Sequence, residues 1–471
     1  MTDLCVTSIA RLAELIRNRE VSPVEILQAY LDRIELHNPK LKAIVTIASD
    51  AVEKAREAEA AVMRGEELGA LHGVPVTIKD TIETAGLRTT SGSAMRAGFI
   101  PKHDARAVAR LKSAGAIILG KTNAAEMAMD YTADNPVFGR TNNPYGASLT
   151  PGGSSGGEAA AIASGMSAAG LGSDLAGSIR MPSHFCGIAG LKPTVGRVPG
   201  DGQFPPATGP YSLGAVLGPM ARRVSDLGLL FDVLATEEAT ATGPLPRFLD
   251  GRSLIRGSGV AWYTDDGVCP VTEETHRAVK TVAGALADAG CVIQQTRPPG
   301  IDRGHDLWLK LFSRASVVQL RQVYAGHEDE GGDFVRWRLA TADDIPAATL
   351  DDYIEFWLER DRLRATLVEW MKDVPLIVAP VGATPAYQHD THKLTIAERT
   401  VSTFRAFSYS QTFNVYDLPV VVVPAVRSSE GLPIGVQIVG PPFREDIVLA
   451  AAAVVEEALG GWQPPAISTD L

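Results

Sequence analysis

The run Pro151-Gly152-Gly153-Ser154-Ser155-Gly156-Gly157 sets two hydroxyls between pairs of glycines. Glycine on both flanks removes shielding side chains and lets the backbone approach a bound group closely. A phosphate loop would need a Lys-Ser or Lys-Thr pair after the glycines, and none follows. A dinucleotide fingerprint needs another glycine spacing and a strand leading in, and the sequence offers neither. On this segment alone, a serine presented for catalysis and a turn without chemistry both remain open.

A second small-residue run, Gly172 to Arg180, presents Ser178 in a turn with Asp174, Leu175, Ala176 and Gly177. A serine nucleophile needs a base. The oxyanion of acyl transfer needs converging backbone N–H groups. Among nine histidines, His72, His103 and His184 lie near these loops, but none sits beside a Gly-x-Ser-x-Gly elbow. Each reads better as a structural loop residue. Lys79 is the stronger base candidate, because it follows the apolar segment Val74 to Ile78, where burial would favour the neutral amine. Asp80 would pull the other way, but adjacent strand residues point to opposite faces. Taken alone, Lys79 also reads as a surface lysine.

These groups must be positioned by an alternation of helices and strands. Ile9, Leu12, Ala13, Leu15 and Ile16 form one apolar helical stripe. Ser22, Pro23 and Glu25 start a helix expected to run to Leu36, and Ala51 to Arg64 is a third. A helix over 104–115 feeds a buried strand, Ala116 to Leu119. Residues 132–157 read as a long structured loop opening onto a helix from Glu158 to Met166, and 170–200 as Gly-rich without assigned elements. Further helices are expected at Arg222–Leu234, Glu273–Ala289, Asp351–Lys372 and Ile447–Leu459. Further strands are expected at Gly259–Tyr263, Cys291–Gln295, Leu376–Ala379, Val420–Val423 and Ile434–Val439.

The 45% hydrophobic and 21% charged fractions exclude a disordered chain. A formal charge of −11 argues against nonspecific nucleic-acid binding. Cys5, Cys186, Cys269 and Cys291 show neither zinc nor redox spacing, and a reducing cytoplasm is the expected location. No secretory signal is evident, and Leu418 to Val426 is too short to span a membrane. No His/Cys/Asp cluster has ligand spacing, so neither metal nor cofactor is expected. The expected fold class is α/β over 1–471 as one domain, with an N-terminal helical part at 1–70 and a variable, more polar subregion at 236–400. Within that subregion 324–350 reads as a surface excursion or lid. Five tryptophans there, Trp262, Trp308, Trp337, Trp357 and Trp370, read as helix packing or as an aromatic funnel.

From Leu71 through Pro193, and again near Phe413 to Gly440, the chain resembles the amidase signature family of serine hydrolases. The resemblance rests on Gly152 to Gly157, on Gly172 to Arg180 and on Gly187-Ile188-Ala189-Gly190-Leu191-Lys192-Pro193. It implies a central mixed, twisted β-sheet flanked by helices on both faces. It implies a triad of Lys79, Ser154 after a cis peptide bond, and Ser178 as nucleophile. It further implies an oxyanion hole from the N–H groups of Leu175, Ala176, Gly177 and Ser178, with Ser155, Asp174 and Arg180 in support. Met129 and Tyr131 would border the acyl pocket. Ala176 stands where most members carry glycine, and Asp417 where glycine is common, which leaves pocket specificity open. The expected substrate is a small, partly apolar or aryl carboxamide, with hydrazides, carbamates and the glutaminase-type subunit of a tRNA-dependent amidotransferase as alternatives. Expected partners are the small-molecule amide alone, with no nucleic acid and no membrane, and homodimerisation is left open.

Overall fold

The computed structural model describes residues 3–235, 251–344 and 348–467. The first part of the 236–400 subregion, 236–250, lies outside the described residues, as does 345–347. The strands, in chain order, are β1 (Ile44–Ile47), β2 (Pro75–Lys79), β3 (Ile117–Thr122), β4 (Ala169–Asp174), β5 (Ala189–Lys192), β6 (Val216–Ala221), β7 (Gly259–Trp262), β8 (Val292–Gln295), β9 (Leu376–Pro380), β10 (Lys393–Ile396), β11 (Arg399–Ser402), β12 (Val420–Arg427) and β13 (Pro433–Val439). Eleven of them form one sheet in the order β1-β3-β2-β4-β6-β5-β12-β13-β9-β7-β8, and β10 and β11 pair as a separate hairpin. The sheet is mixed: β2 runs parallel to β3 and β4, and β7 parallel to β8 and β9. The other pairings are antiparallel.

Apolar residues cover both faces of this sheet. Side chains alternate across a strand, and Val421 and Val423 of β12 join one core cluster while Val420 joins the other. Leu376 and Val378 of β9 likewise separate from Ile377 and Ala379. The first cluster packs the N-terminal helices Ile9–Arg17 and Pro23–Leu41 and the C-terminal helix Glu445–Leu459. The second holds most of the aromatic residues, including Tyr131, Trp308, Phe312 and Phe407.

Two expectations change, and the segment 324–350 acquires an anchor. The N-terminal helical part contains β1, a four-residue edge strand antiparallel to β3, too short for its alternation to register in the sequence. The Gly-rich stretch 170–200 holds β4, the helix Arg180–Cys186 and β5. Small residues replace the β-branched ones that usually mark a strand because neighbours come close: a Cβ on Gly190 of β5 would stand 2.3 Å from Ser183 Oγ. A Cβ on Gly218 of the adjoining β6 would stand 2.1 Å from the Leu191 carbonyl oxygen of β5. The segment 324–350 is anchored at one end: Tyr324 is buried and its hydroxyl donates to Glu126 at 2.7 Å, while the Gly332 N–H reaches the same carboxylate at 2.8 Å. Among the described residues no helix is long and apolar enough to cross a membrane.

Candidate active site

Lys79 ends β2, with β3 on one side and β4 on the other. The carboxyl ends of parallel strands are where open α/β sheets place their ligands. The lysine is fully buried. Its Nζ donates to Ser154 Oγ at 2.6 Å and to Ser173 Oγ at 2.9 Å. Burial lowers its pKa to about 7, against the opposing pull of the Asp174 and Glu158 carboxylates. Asp80 turns away, as the strand alternation requires: its carboxylate accepts from the Thr90 N–H and hydroxyl and lies in the field of Lys121.

Ser154 is fully buried and follows a cis peptide bond from Gly153. Glycine is required at 153, because a Cβ there would stand 2.1 Å from the Thr132 carbonyl oxygen. Ser155 is the N-cap of the helix Gly156–Ala163. Its N–H donates to the Ser178 carbonyl at 3.2 Å and its Oγ to the Ser173 carbonyl at 3.3 Å, tying the two serine runs together.

The turn after β4 is held by its carbonyls. Trp308 Nε1 donates to the Leu175 carbonyl at 2.9 Å, and the Tyr131 hydroxyl to the Ala176 carbonyl at 2.7 Å. The Met181 N–H holds the Gly177 carbonyl at 2.7 Å. Of the four expected oxyanion donors, Gly177 is set apart: its N–H already donates to Asp174 Oδ1 at 2.9 Å. Among the described residues, the N–H groups of Leu175, Ala176 and Ser178 have no such acceptor. Gly177 has φ of 108° and faces Ser410 Cβ, where its own Cβ would approach to 2.7 Å. Ala176 does not adopt a positive φ, so its methyl group is accommodated without strain.

Asp174 is buried and paired with the equally buried Arg180 at 2.9 Å. Burial alone would raise its pKa. The Arg180 guanidinium more than offsets that and holds the carboxyl well below the usual carboxylate range. Arg180 also donates to the Ser410 carbonyl and to Gln437 Oε1, and Asn414 Nδ2 donates to Asp174 Oδ1 at 3.0 Å. Ser178 retains 6% exposure, and its Oγ has no hydrogen-bond partner among the described residues.

Several participants escape a reading of the sequence. Ser173, one residue before Asp174, contacts the lysine directly. Glu158 accepts from Thr122 at 2.7 Å and from Thr77, and burial pushes its pKa up to about 7. Its signal was its place as the first charged residue after a glycine-serine run, at the start of an otherwise small-residue helix. Asn414 and Gln411 come from the helix Ser408–Val415, and Gln411 Nε2 donates to the Tyr131 hydroxyl at 2.9 Å. Tyr131 is almost fully buried, stacks on Phe404 at 5.3 Å and meets Phe407, and Trp308 lies 5.0 Å from Phe404. Met129 is half-buried against the same aromatic cluster. Asp417 adopts a φ of 49°, in the region that favours glycine, and accepts from the Val195 N–H at 2.8 Å. Among the described residues, no group of three or more His, Cys, Asp or Glu side chains is gathered so that it could hold a metal ion.

The family model described as Amidase matches residues 25–449. An indoleacetamide hydrolase of Bradyrhizobium diazoefficiens is 33% identical, over 95% of this chain and 86% of its own length. One of the subunits of the glutamyl-tRNA(Gln) amidotransferase of Koribacter versatilis is 33% identical, over 97% of this chain and 99% of its own. The solved structure of 6-aminohexanoate cyclic dimer hydrolase complexed with substrate superposes with a TM-score of 0.84 at 29% identity, covering 97% of this chain and 98% of that one.

Proposed function

Since this chain belongs to the amidase family, we propose that it hydrolyses the C–N bond of small, partly apolar or aryl carboxamides through an acyl-enzyme on Ser178. The observation that carries this reading is the buried Lys79 Nζ to Ser154 Oγ contact of 2.6 Å, next to Ser155, whose N–H holds the Ser178 carbonyl. A buried lysine titrating at about 7 is half neutral at neutral pH and serves as a base.

In the acylation step neutral Lys79 takes the proton of Ser154, and Ser154 takes that of Ser178. The Ser178 Oγ–carbon bond forms, and the carbonyl π electrons move onto oxygen. The oxyanion rests against the N–H groups of Leu175, Ala176 and Ser178, which have no other acceptor among the described residues. The C–N bond breaks as the proton returns along the relay to the leaving amine. Water, deprotonated by the same route, then attacks the acyl carbon and releases the carboxylic acid and Ser178. Asp174 and Arg180 fix the turn rather than touch substrate.

The aromatic cluster of Tyr131, Trp308, Phe312 and Phe404 beside the turn supports an apolar or aryl acyl group. Four buried free thiols, Cys5, Cys186, Cys269 and Cys291, support a reducing cytoplasmic setting. The reaction as drawn uses no cofactor, nucleic acid or membrane. A panel of p-nitroanilides, simple amides, hydrazides and carbamates, with glutamine as a separate substrate and no tRNA, assayed on the purified chain, tests the reading. Turnover of aryl or apolar amides is expected. Activity confined to glutamine would assign the chain instead to the amidotransferase role, and faster cleavage of hydrazides or carbamates would move the substrate class.

A further inference from the structure

Two aromatic side chains act on the backbone of the oxyanion turn, and their place on the carbonyls rather than the N–H groups is informative. In a trans peptide unit the C=O and the following N–H point in opposite directions. Holding the Leu175 carbonyl therefore aims the Ala176 N–H, and holding the Ala176 carbonyl aims that of Gly177. Trp308 holds the first at 2.9 Å and Tyr131 the second at 2.7 Å. Gly177 N–H, so directed, meets Asp174 Oδ1, whereas Ala176 N–H is aimed where no acceptor lies among the described residues. Beyond the units held by Trp308 and Tyr131, the turn is fixed by close neighbours in sequence or by the serine runs. Met181 N–H takes the Gly177 carbonyl and Ser155 N–H the Ser178 carbonyl. The Ala176 N–H alone depends on a side chain from the helix Gly304–Trp308, in the variable part of the chain.

We propose that Trp308 is a positioning residue for the oxyanion hole, its indole N–H setting the direction of the Ala176 N–H through the Leu175 carbonyl, with Tyr131 locking the next peptide unit. This rests on the reading of Ser178 as nucleophile. The indole also packs 5.0 Å from Phe404 and 5.7 Å from Phe312. The same ring thus couples the aromatic cluster to the donor that meets the developing charge. A substrate group that presses on this ring acts on the turn through a single hydrogen bond. Specificity and rate therefore share one residue that lies outside the serine runs.

The test is Trp308→Phe, which keeps an aromatic ring and removes the N–H, with steady-state kinetics on the best amide of the panel. A donor aimed at the oxyanion works chiefly in the transition state, so kcat is expected to fall about tenfold, the scale of one lost neutral hydrogen bond, with KM within about twofold. Inhibition by phenethylboronic acid, whose boron becomes tetrahedral on Ser178 Oγ, should weaken by the same factor. Replacing Trp308 with 3-benzothienylalanine, which keeps the bicyclic shape and lacks the N–H, carries the same test should Trp308→Phe fold poorly. Parental kcat in a folded Trp308→Phe, or a loss confined to KM, overturns the inference and leaves the ring as packing. A Ser178→Ala protein that still hydrolyses the amide overturns the nucleophile assignment instead, and the inference with it.

Discussion

Exchanging Lys79 for arginine separates the two roles that a buried cation at this place can have. A base must lose its proton, whereas an anchoring charge must keep it. Burial brings Lys79 to about 7. At pH 7 it is then about half neutral, while a lysine at its ordinary value near 10.4 would be neutral in about one molecule in 2,500. The site thus raises the supply of base by about a thousandfold. The acylation rate should rise with pH through a midpoint near 7 and level off above it. Lys79→Ala should lower the plateau by at least about 100-fold and abolish the limb. Arginine does not deprotonate in proteins, so Lys79→Arg should be as slow as the alanine variant while keeping the charge. Glu158 supplies a control on the electrostatics: its charge favours the ammonium, so Glu158→Gln should move the midpoint to lower pH. The assay is single-turnover acylation from about pH 5 to about pH 10 in parent and variants, with folding checked by thermal melting. Near-parental rates in Lys79→Arg, or a parental midpoint near 10, would refute the base assignment.

Three further outcomes are expected. Ser154→Ala should fold and lose most turnover, at least about 100-fold, because the lysine contacts Ser154 and not Ser178; steady-state assay decides. Gly153→Ala should lose activity by displacing the Ser154 loop, since its Cβ meets the Thr132 carbonyl at 2.1 Å, and activity with an unchanged melting curve would contradict this. Arg180→Ala leaves the fully buried Asp174 carboxylate without its guanidinium and should cost about 3–5 kcal/mol in urea unfolding.

The site residues and the strands that carry them differ in how far they could be read from sequence. Lys79 stands out because an apolar run leads into it, but taken alone it also reads as a surface lysine; it is the fold that buries it at the end of β2. Ser154 and Ser178 are singled out by the glycines around their hydroxyls, which leave a turn without chemistry open, and their roles come only from the resemblance to the amidase signature family. The strands that carry the turn are not legible: β4 and β5 are built of Ala, Gly, Leu, Ser, Asp and Lys. Small residues there serve tight strand-to-strand and helix contacts, which remove the alternation that marks a strand. Gly177 was expected to donate to the oxyanion, but its N–H is taken by a carboxylate three residues earlier, a contact that only the folded turn reveals. Trp308 and Gln411 reach the site from 133 and 280 residues away, at Leu175 and Tyr131 respectively. Nothing in their local sequence sets them apart from packing residues, since their role comes from the approach of distant elements in the second core cluster.

The central claim is that Ser178 is the attacking group, and covalent labelling tests it most directly. A fluorophosphonate transfers its phosphonyl group to an activated serine oxygen and releases fluoride. Digestion of the labelled protein and mass spectrometry then locate the adduct. The account predicts one adduct, on the peptide containing Ser178, lost in Ser178→Ala and formed far more slowly in Lys79→Arg. An adduct on Ser154 or on any other serine, persisting in Ser178→Ala, would contradict it.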